Sequence, residues 1–327
     1  MKRLVPLALL VAAMLLASGC LVNQRDLWAG DKLDPAAPSL HDPDITSLAY
    51  GTDPLQHLDV YQSHGPSQGV IVYLHAGGWC CGDHVEIDRV LLHTLDHGFT
   101  VVSVDYRLTP VAHAPDMLSD VDRAIRYVKA HRAEWSAGAG KVLVAGGSAG
   151  GHLALMAASA PGLEVAPDLP AELLAQSPVV DGVIAFSAPT DLRPYIADQI
   201  QSLGITALAE DLLDCSNRGR LSTPVTGRPQ YVMQPCTIER QLRYSPAFWA
   251  ALHQWFGQPL PPLYMATGLQ DGLIPWQTQV DTIAPAWEAA AGYFETYIDL
   301  PPQAGHNLSG DLNLTAFMTW WLPQFLR

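Results

Sequence analysis

Residues 144–153 read VAGGSAGGHL, with Gly146, Gly147, Gly150 and Gly151 crowded around Ser148. Glycine loses more conformational freedom on ordering than any other residue, so such a cluster marks a turn through space that no side chain tolerates. The apolar run KVLVAG (Lys141–Gly146) leads into it, and a helical pattern beginning near Gly151 leads out. Strand, sharp turn and helix follow one another without a spacer. The frame Gly146-Gly147-Ser148-Ala149-Gly150 is G-x-S-x-G, the pattern that carries a serine on a strained strand-to-helix turn with its oxygen exposed. The helix start adds a favourable dipole and unpaired N–H groups for developing negative charge. A phosphate-cradling glycine loop needs G-x-x-x-x-G-K-[ST], and no lysine stands here.

The rest of the chain frames that turn. ITSLAYG and QHLDVYQ, with a Gly/Thr/Asp/Pro turn between them, predict an antiparallel hairpin. Then come continuous apolar runs: Gly69–His75, Phe99–Tyr106, Lys141–Gly146, Val180–Ser187, Pro262–Gly268 and Tyr293–Leu300. Runs without alternation suit strands buried on both faces, as in a parallel sheet. Between Met117 and Trp135, Leu118, Val121, Ile125 and Val128 fall on one helical face. LNLTAFMTWWLPQFL predicts a last helix. Alternating strands and helices define an α/β fold, a mostly parallel central sheet flanked by helices. Residues of about 193–261 break the alternation; they hold turn formers, Cys215, Cys236 and the aromatics Tyr231, Tyr244, Phe248, Trp249, Trp255 and Phe256. They are expected to form an inserted cap within a domain spanning 45–327.

A serine needs a base and a group to orient that base. In a fold with this elbow the order along the chain is Ser, acid, His. Asp271 lies in TGLQDGLIP, just after an apolar strand, and His306 lies in PQAGHNLSG, after the next one. His306 is the only histidine beyond Asp271. Asp191, in SAPTD, is a rival acid. An oxyanion hole would come from YLHAGGWCCG, where the N–H groups of Gly77 and Gly78 join that of Ala149. His75 is expected to prop this loop, and Trp79 either lines the pocket or packs. His152 is expected to pack or cap, and Asp105 and Arg107 to form a structural pair. His93 and His97, four apart, suit a solvated helical face better than a metal site. There is no H-E-x-x-H, paired C-x-x-C or dinucleotide fingerprint, so neither metal nor cofactor is implied.

HAGGW, DYRL, GGSAGGHLA and the late Asp and His together resemble the α/β-hydrolase superfamily. The branch is that of esterases and lipases related to hormone-sensitive lipase and to bacterial feruloyl-esterase-like carboxylesterases. The resemblance implies the α/β-hydrolase fold and a Ser148-Asp271-His306 triad. Two positions depart from the pattern. Ala76 replaces the first glycine of the usual HGGG, and Gly147 stands before the serine where Asp or His is common.

The amino terminus has its own signature. Lys2 and Arg3 precede an apolar stretch, Leu4–Ala17, that is shorter than a membrane span. LASGC, ending at Cys20, resembles a bacterial lipobox, which predicts a signal peptide over 1–19, lipidation of Cys20 and a tether over 20–44. Leu21 in place of an acidic residue favours the outer membrane. In an exported chain the remaining cysteines can oxidise. Four of them allow three pairings; Cys215 with Cys236 is favoured because both lie in one turn-rich segment, while Cys80 and Cys81 are expected to pack. A net charge of −14 repels nucleic acid and favours neutral or cationic small molecules. The function expected is a serine carboxylesterase acting on a small to medium neutral ester. The alternatives are an amidase or kynurenine-formamidase-like enzyme with the same triad, or a non-catalytic binding protein.

Overall fold

The computed structural model describes residues 42–135, 137–138, 140–197, 205–292, 296–306, 308 and 317–325. The expected signal peptide, Cys20 and the tether up to residue 41 lie outside the described residues. Eight strands form one sheet: β1 (Ile45–Ala49), β2 (His57–Tyr61), β3 (Gly69–Leu74), β4 (Phe99–Val104), β5 (Lys141–Gly147), β6 (Gly182–Phe186), β7 (Leu263–Ala266) and β8 (Thr296–Asp299). Their order is β1-β2-β4-β3-β5-β6-β7-β8. β2 runs antiparallel to both β1 and β4, and every other neighbouring pair is parallel. The hairpin is thus an antiparallel edge on a parallel sheet.

The uninterrupted apolar runs are explained by two cores. Val70, Val72, Val142, Val144, Val183 and Met265 point into one, and Ile71, Tyr73, Leu143, Ile184, Phe186 and Tyr264 into the other. Successive side chains of a strand face opposite ways, so a strand covered on both sides needs apolar residues at every position. The longer helices are α1 (Ala114–His131), α2 (Ala149–Ser159), α3 (Ile205–Leu213), α4 (Pro246–Phe256) and α5 (Ala284–Ala291). All five add residues to the first core. Short turns around Leu91, Leu95 and Phe317–Phe325 cover the second.

Three elements differ from expectation. α1 starts three residues before the expected Met117, because the Asp116 carboxylate accepts the His113 N–H at 3.1 Å and Pro115 fits the first turn. Over its described part the final helix is two short turns, Phe317–Trp321 and Leu322–Phe325. Pro323 separates them, since it has no N–H to give and its ring clashes one turn back. The insertion is shorter than 193–261: α4 packs on α2 and α5 through Ala247 and Ala250, so it belongs to the helix layer over the sheet. What remains is mostly loop, with α3, a short helix at Ile238–Arg243 and isolated bridges at Leu221–Val232 and Val225–Arg228. Cys215 and Cys236 are disulfide-bonded within it, their Cα atoms 4.9 Å apart.

Candidate active site

β3, β5, β6, β7 and β8 run the same way, so the loops that leave their carboxyl ends meet on one edge of the sheet. Ser148 sits between the end of β5 and the start of α2 with φ 50° and ψ −115°, in the left-handed half of backbone space that a side chain disfavours. Its N–H donates to the Phe186 carbonyl at 2.7 Å, and its own carbonyl accepts the His152 N–H at 3.0 Å. The surrounding glycines answer to crowding. A Cβ at Gly150 would lie 2.0 Å from the Leu74 carbonyl oxygen, and one at Gly146 would lie 2.3 Å from the Gly150 carbonyl carbon. One at Gly151 would meet the Ala188 methyl at 2.8 Å. α2 is therefore pressed against β3 and β6 at distances only hydrogen atoms can fill.

Two loops complete a hydrogen-bonded line. His306 Nε2 lies 3.0 Å from Ser148 Oγ, and His306 Nδ1 lies 2.8 Å from Asp271 Oδ2. The Asp271 side chain is fully buried, while that of His306 is 23 % exposed. Asp271 Oδ1 accepts the N–H groups of Leu273 at 2.9 Å and Ile274 at 2.8 Å. Oδ2 also takes Gln279 Nε2 at 3.2 Å. Such partners replace the water that a carboxylate loses on burial. Asp191, the rival acid, is instead held by Arg193 at 2.5 Å.

Gly77 and Gly78, with φ of 129° and 58°, leave β3 in backbone conformations that glycine favours. Ala149 opens α2, so its N–H has no acceptor within the helix. Ala76, at the departure from the usual motif, is not one of the positive-φ residues, and its methyl group costs no strain. From the insertion, Leu208 of α3 reaches this loop; its Cδ1 would stand 2.8 Å from a Cβ at Gly78.

Several side chains near the site are structural. Trp79 is 1 % exposed and belongs to the core, so it packs rather than lines a pocket. Its indole donates to His152 Nδ1 at 3.3 Å, which leaves His152 Nε2–H to donate to the Tyr244 carbonyl at 2.8 Å. Burial pushes the His152 pKa down to about 4. His75 is fully buried and stacked on Tyr106 at 4.3 Å; burial lowers its pKa too. Asp105 and Arg107 are not paired with each other. Asp105 holds His84 at 2.6 Å, and Arg107 holds Asp120 at 2.7 Å. The side-chain hydrogen bond that His84 donates to Asp105 raises the His84 pKa. Among the described residues no cluster of three His, Cys, Asp or Glu side chains could hold a metal. His93 and His97 lie on a tight helical turn.

Sequence reasoning missed Gln279. It is wholly buried and touches the same carboxylate oxygen as His306. No spacing rule ties it to Asp271, because an irregular turn separates Asp271 from the short helix Trp276–Val280 that carries Gln279. Cys80 and Cys81 are half-buried, with their sulfur atoms 3.0 Å apart.

The family model described as BD-FAE matches residues 58–226, a stretch that holds β2 through β6, the elbow and part of the insertion. A Mycobacterium tuberculosis protein named "Probable carboxylic ester hydrolase LipM" is 32 % identical over 126 residues, covering 37 % of this chain and 29 % of that one. An "Acetyl esterase" of Salmonella schwarzengrund is 35 % identical over 100 residues, covering 30 % of this chain and 31 % of its own. The chain thus spans about a third of the length of either curated relative. Among solved structures, a "Truncated form of carbohydrate esterase from gut microbiota" superposes with a TM-score of 0.68 at 18 % identity, over 89 % of this chain and 100 % of that one.

Proposed function

The chain belongs to the BD-FAE family and has the α/β-hydrolase fold; on that footing we propose that it is a serine carboxylesterase acting on a small to medium neutral ester. The observation that carries this reading is the unbroken line Ser148 Oγ–His306–Asp271, with contacts of 3.0 and 2.8 Å. His306 Nε2 takes the Ser148 proton as Oγ attacks the ester carbonyl. Asp271 fixes the ring tautomer through Nδ1–H and stabilises the imidazolium. The N–H groups of Gly77, Gly78 and Ala149 receive the developing oxyanion at the start of α2, where the helix dipole favours negative charge. His306 then returns the proton to the leaving alcohol, leaving an acyl group on Ser148. The same base activates the water that frees the acid. The net charge of −14 disfavours anionic esters near the protein. Lipidation of Cys20 would hold the domain at a bacterial outer membrane.

The test is hydrolysis of p-nitrophenyl acyl esters from acetate to palmitate by the full-length chain and by Ser148→Ala. Turnover in the parent and a loss of about 10⁴-fold or more in the variant are expected. A variant that keeps its parent's rate would remove Ser148 from the reaction. The chain-length profile then separates an esterase from a lipase.

A further inference from the structure

Gly77 and Gly78 leave β3 and pass straight into Trp79-Cys80-Cys81-Gly82. The Gly77 carbonyl is held by that tail: it accepts the N–H of Cys80 and the N–H of Cys81, each at 3.1 Å. The Cys80 thiol adds a longer contact at 3.5 Å. The Gly77 carbonyl and the Gly78 N–H are two ends of one planar trans peptide and point in opposite directions. Whatever fixes the first aims the second. The N–H groups of the two cysteines therefore set the direction of the Gly78 N–H, one of the oxyanion donors in the reading above, on which this inference rests.

The sulfur atoms themselves are 3.0 Å apart. That is closer than two carbon atoms at their best contact, about 3.5–4.0 Å, and short of bonding, at about 2.05 Å. Both residues are half-buried, so a small reagent can reach them. Consecutive Cα atoms across a trans peptide are about 3.8 Å apart, below the roughly 4.4–6.8 Å that disulfides usually span. A bond between these neighbours must twist the peptide that joins them. The N–H of Cys81 belongs to that peptide, so it cannot twist and keep its place on the Gly77 carbonyl. The Cys215–Cys236 bond, with Cα atoms 4.9 Å apart, carries no such demand.

We propose that Cys80 and Cys81 form a modification site: thiol–disulfide exchange with a small disulfide such as glutathione disulfide closes them into a vicinal disulfide that misaims the Gly78 N–H and slows hydrolysis. One cysteine thiolate attacks the small disulfide, forming a mixed disulfide and releasing one thiolate. The second cysteine thiolate attacks the bound protein sulfur and releases the other. Two electrons pass to the reagent, and the two thiol protons end on the two released thiols. Strain makes such a bond easily reduced, so the modification is reversible.

The full-length chain is incubated with glutathione disulfide, alkylated, digested without reductant and mapped by mass, while p-nitrophenyl acetate hydrolysis is followed in parallel. The peptide carrying Cys80 and Cys81 should be lighter by two hydrogens and resist alkylation. Meanwhile kcat should fall roughly 100-fold, the cost of losing one oxyanion donor, with KM little changed, and dithiothreitol should restore it. Replacing both residues (Cys80→Ser with Cys81→Ser) keeps the two backbone N–H groups and the Cys215–Cys236 bond, and the rate of that variant should ignore the oxidant; a response that persists there belongs to another cysteine and overturns the assignment. Full alkylation of both cysteines after oxidation, or ring closure without a change in kcat, also overturns it. If the reduced chain hydrolyses no ester, the esterase reading fails separately, while mapping still decides whether the ring forms.

Discussion

The elbow and the inserted segment over 205–245 hold their shapes by different physics. Around Ser148 the contacts are backbone against backbone, and a single methyl at Gly150 has nowhere to go. The insertion buries an apolar face, with Ala209 and Leu212 of α3 in the first core, and adds charged side chains around it. Glu210 is fully buried and accepts Ser216 Oγ at 2.8 Å, with Arg218 at 3.1 Å and Arg220 at 3.2 Å around it. Asp211 holds Arg220 at 2.5 Å and Thr223 at 3.2 Å, and a disulfide closes the segment. Close approach of main chains admits one residue type per position. Ion pairs and a cross-link can be arranged by many sequences. A site of the first kind leaves a motif, and a segment of the second kind leaves only a composition.

The contrast breaks first at its strongest point. Gly150→Ala puts a carbon 2.0 Å from one main-chain oxygen of the β3 end and 2.5 Å from the next. It should cost about 4 kcal/mol or more, the range reserved for serious overpacking. Urea unfolding measures it, and a variant within about 1 kcal/mol of its parent would mean that the elbow yields.

A smaller effect tests the bridge between the two regions. His152, on the elbow helix, donates to the Tyr244 carbonyl at the end of the insertion, and its folded pKa of about 4 lies below the ordinary 6.5. Between those values the unfolded chain binds a proton that the folded chain refuses. Stability is thus fully present above pH 6.5 and falls as pH drops towards 4, by about 3 kcal/mol from this group. Melting temperature against pH should show that slope for the parent and a shallower one for His152→Gln; parallel slopes would clear His152 of the role.

The smallest effect is expected in the insertion. Gly219 has φ +64° with nothing within 4 Å of a Cβ. Gly219→Ala should cost only the left-handed backbone penalty, about 1 kcal/mol, again by urea unfolding. A loss as large as that of Gly150→Ala would show the insertion to be packed as tightly as the elbow.

The same contrast explains what could be read in the sequence. Doubly buried strands announce themselves by runs such as GVIVYL and KVLVAGG. The three members of the hydrogen-bonded line, Ser148, Asp271 and His306, stand out because each follows the end of such a run. The hidden features are those made by side chains meeting across distance. Asp105 and Arg107 sit two apart yet serve His84 and Asp120. Gln279 touches Asp271 across an irregular turn. α4 was masked by its own aromatics: Trp255 and Phe256 are 82 % and 69 % exposed, while small alanines form the face that packs. Counting aromatics put that helix in the insertion, and burial puts it on the sheet.

The distance along the chain between the two ends of the hydrogen-bonded line has a consequence for biosynthesis. His306 is 158 residues beyond Ser148. At ribosomal speeds of roughly 5–20 residues per second, Ser148 is made about 8–30 s before His306. Throughout that interval Ser148 lacks the imidazole that its Oγ meets in the folded chain. On the function proposed above, the polypeptide gains hydrolytic competence only when β8 docks and brings the loop bearing His306 to the sheet edge, so until then the chain is a latent hydrolase.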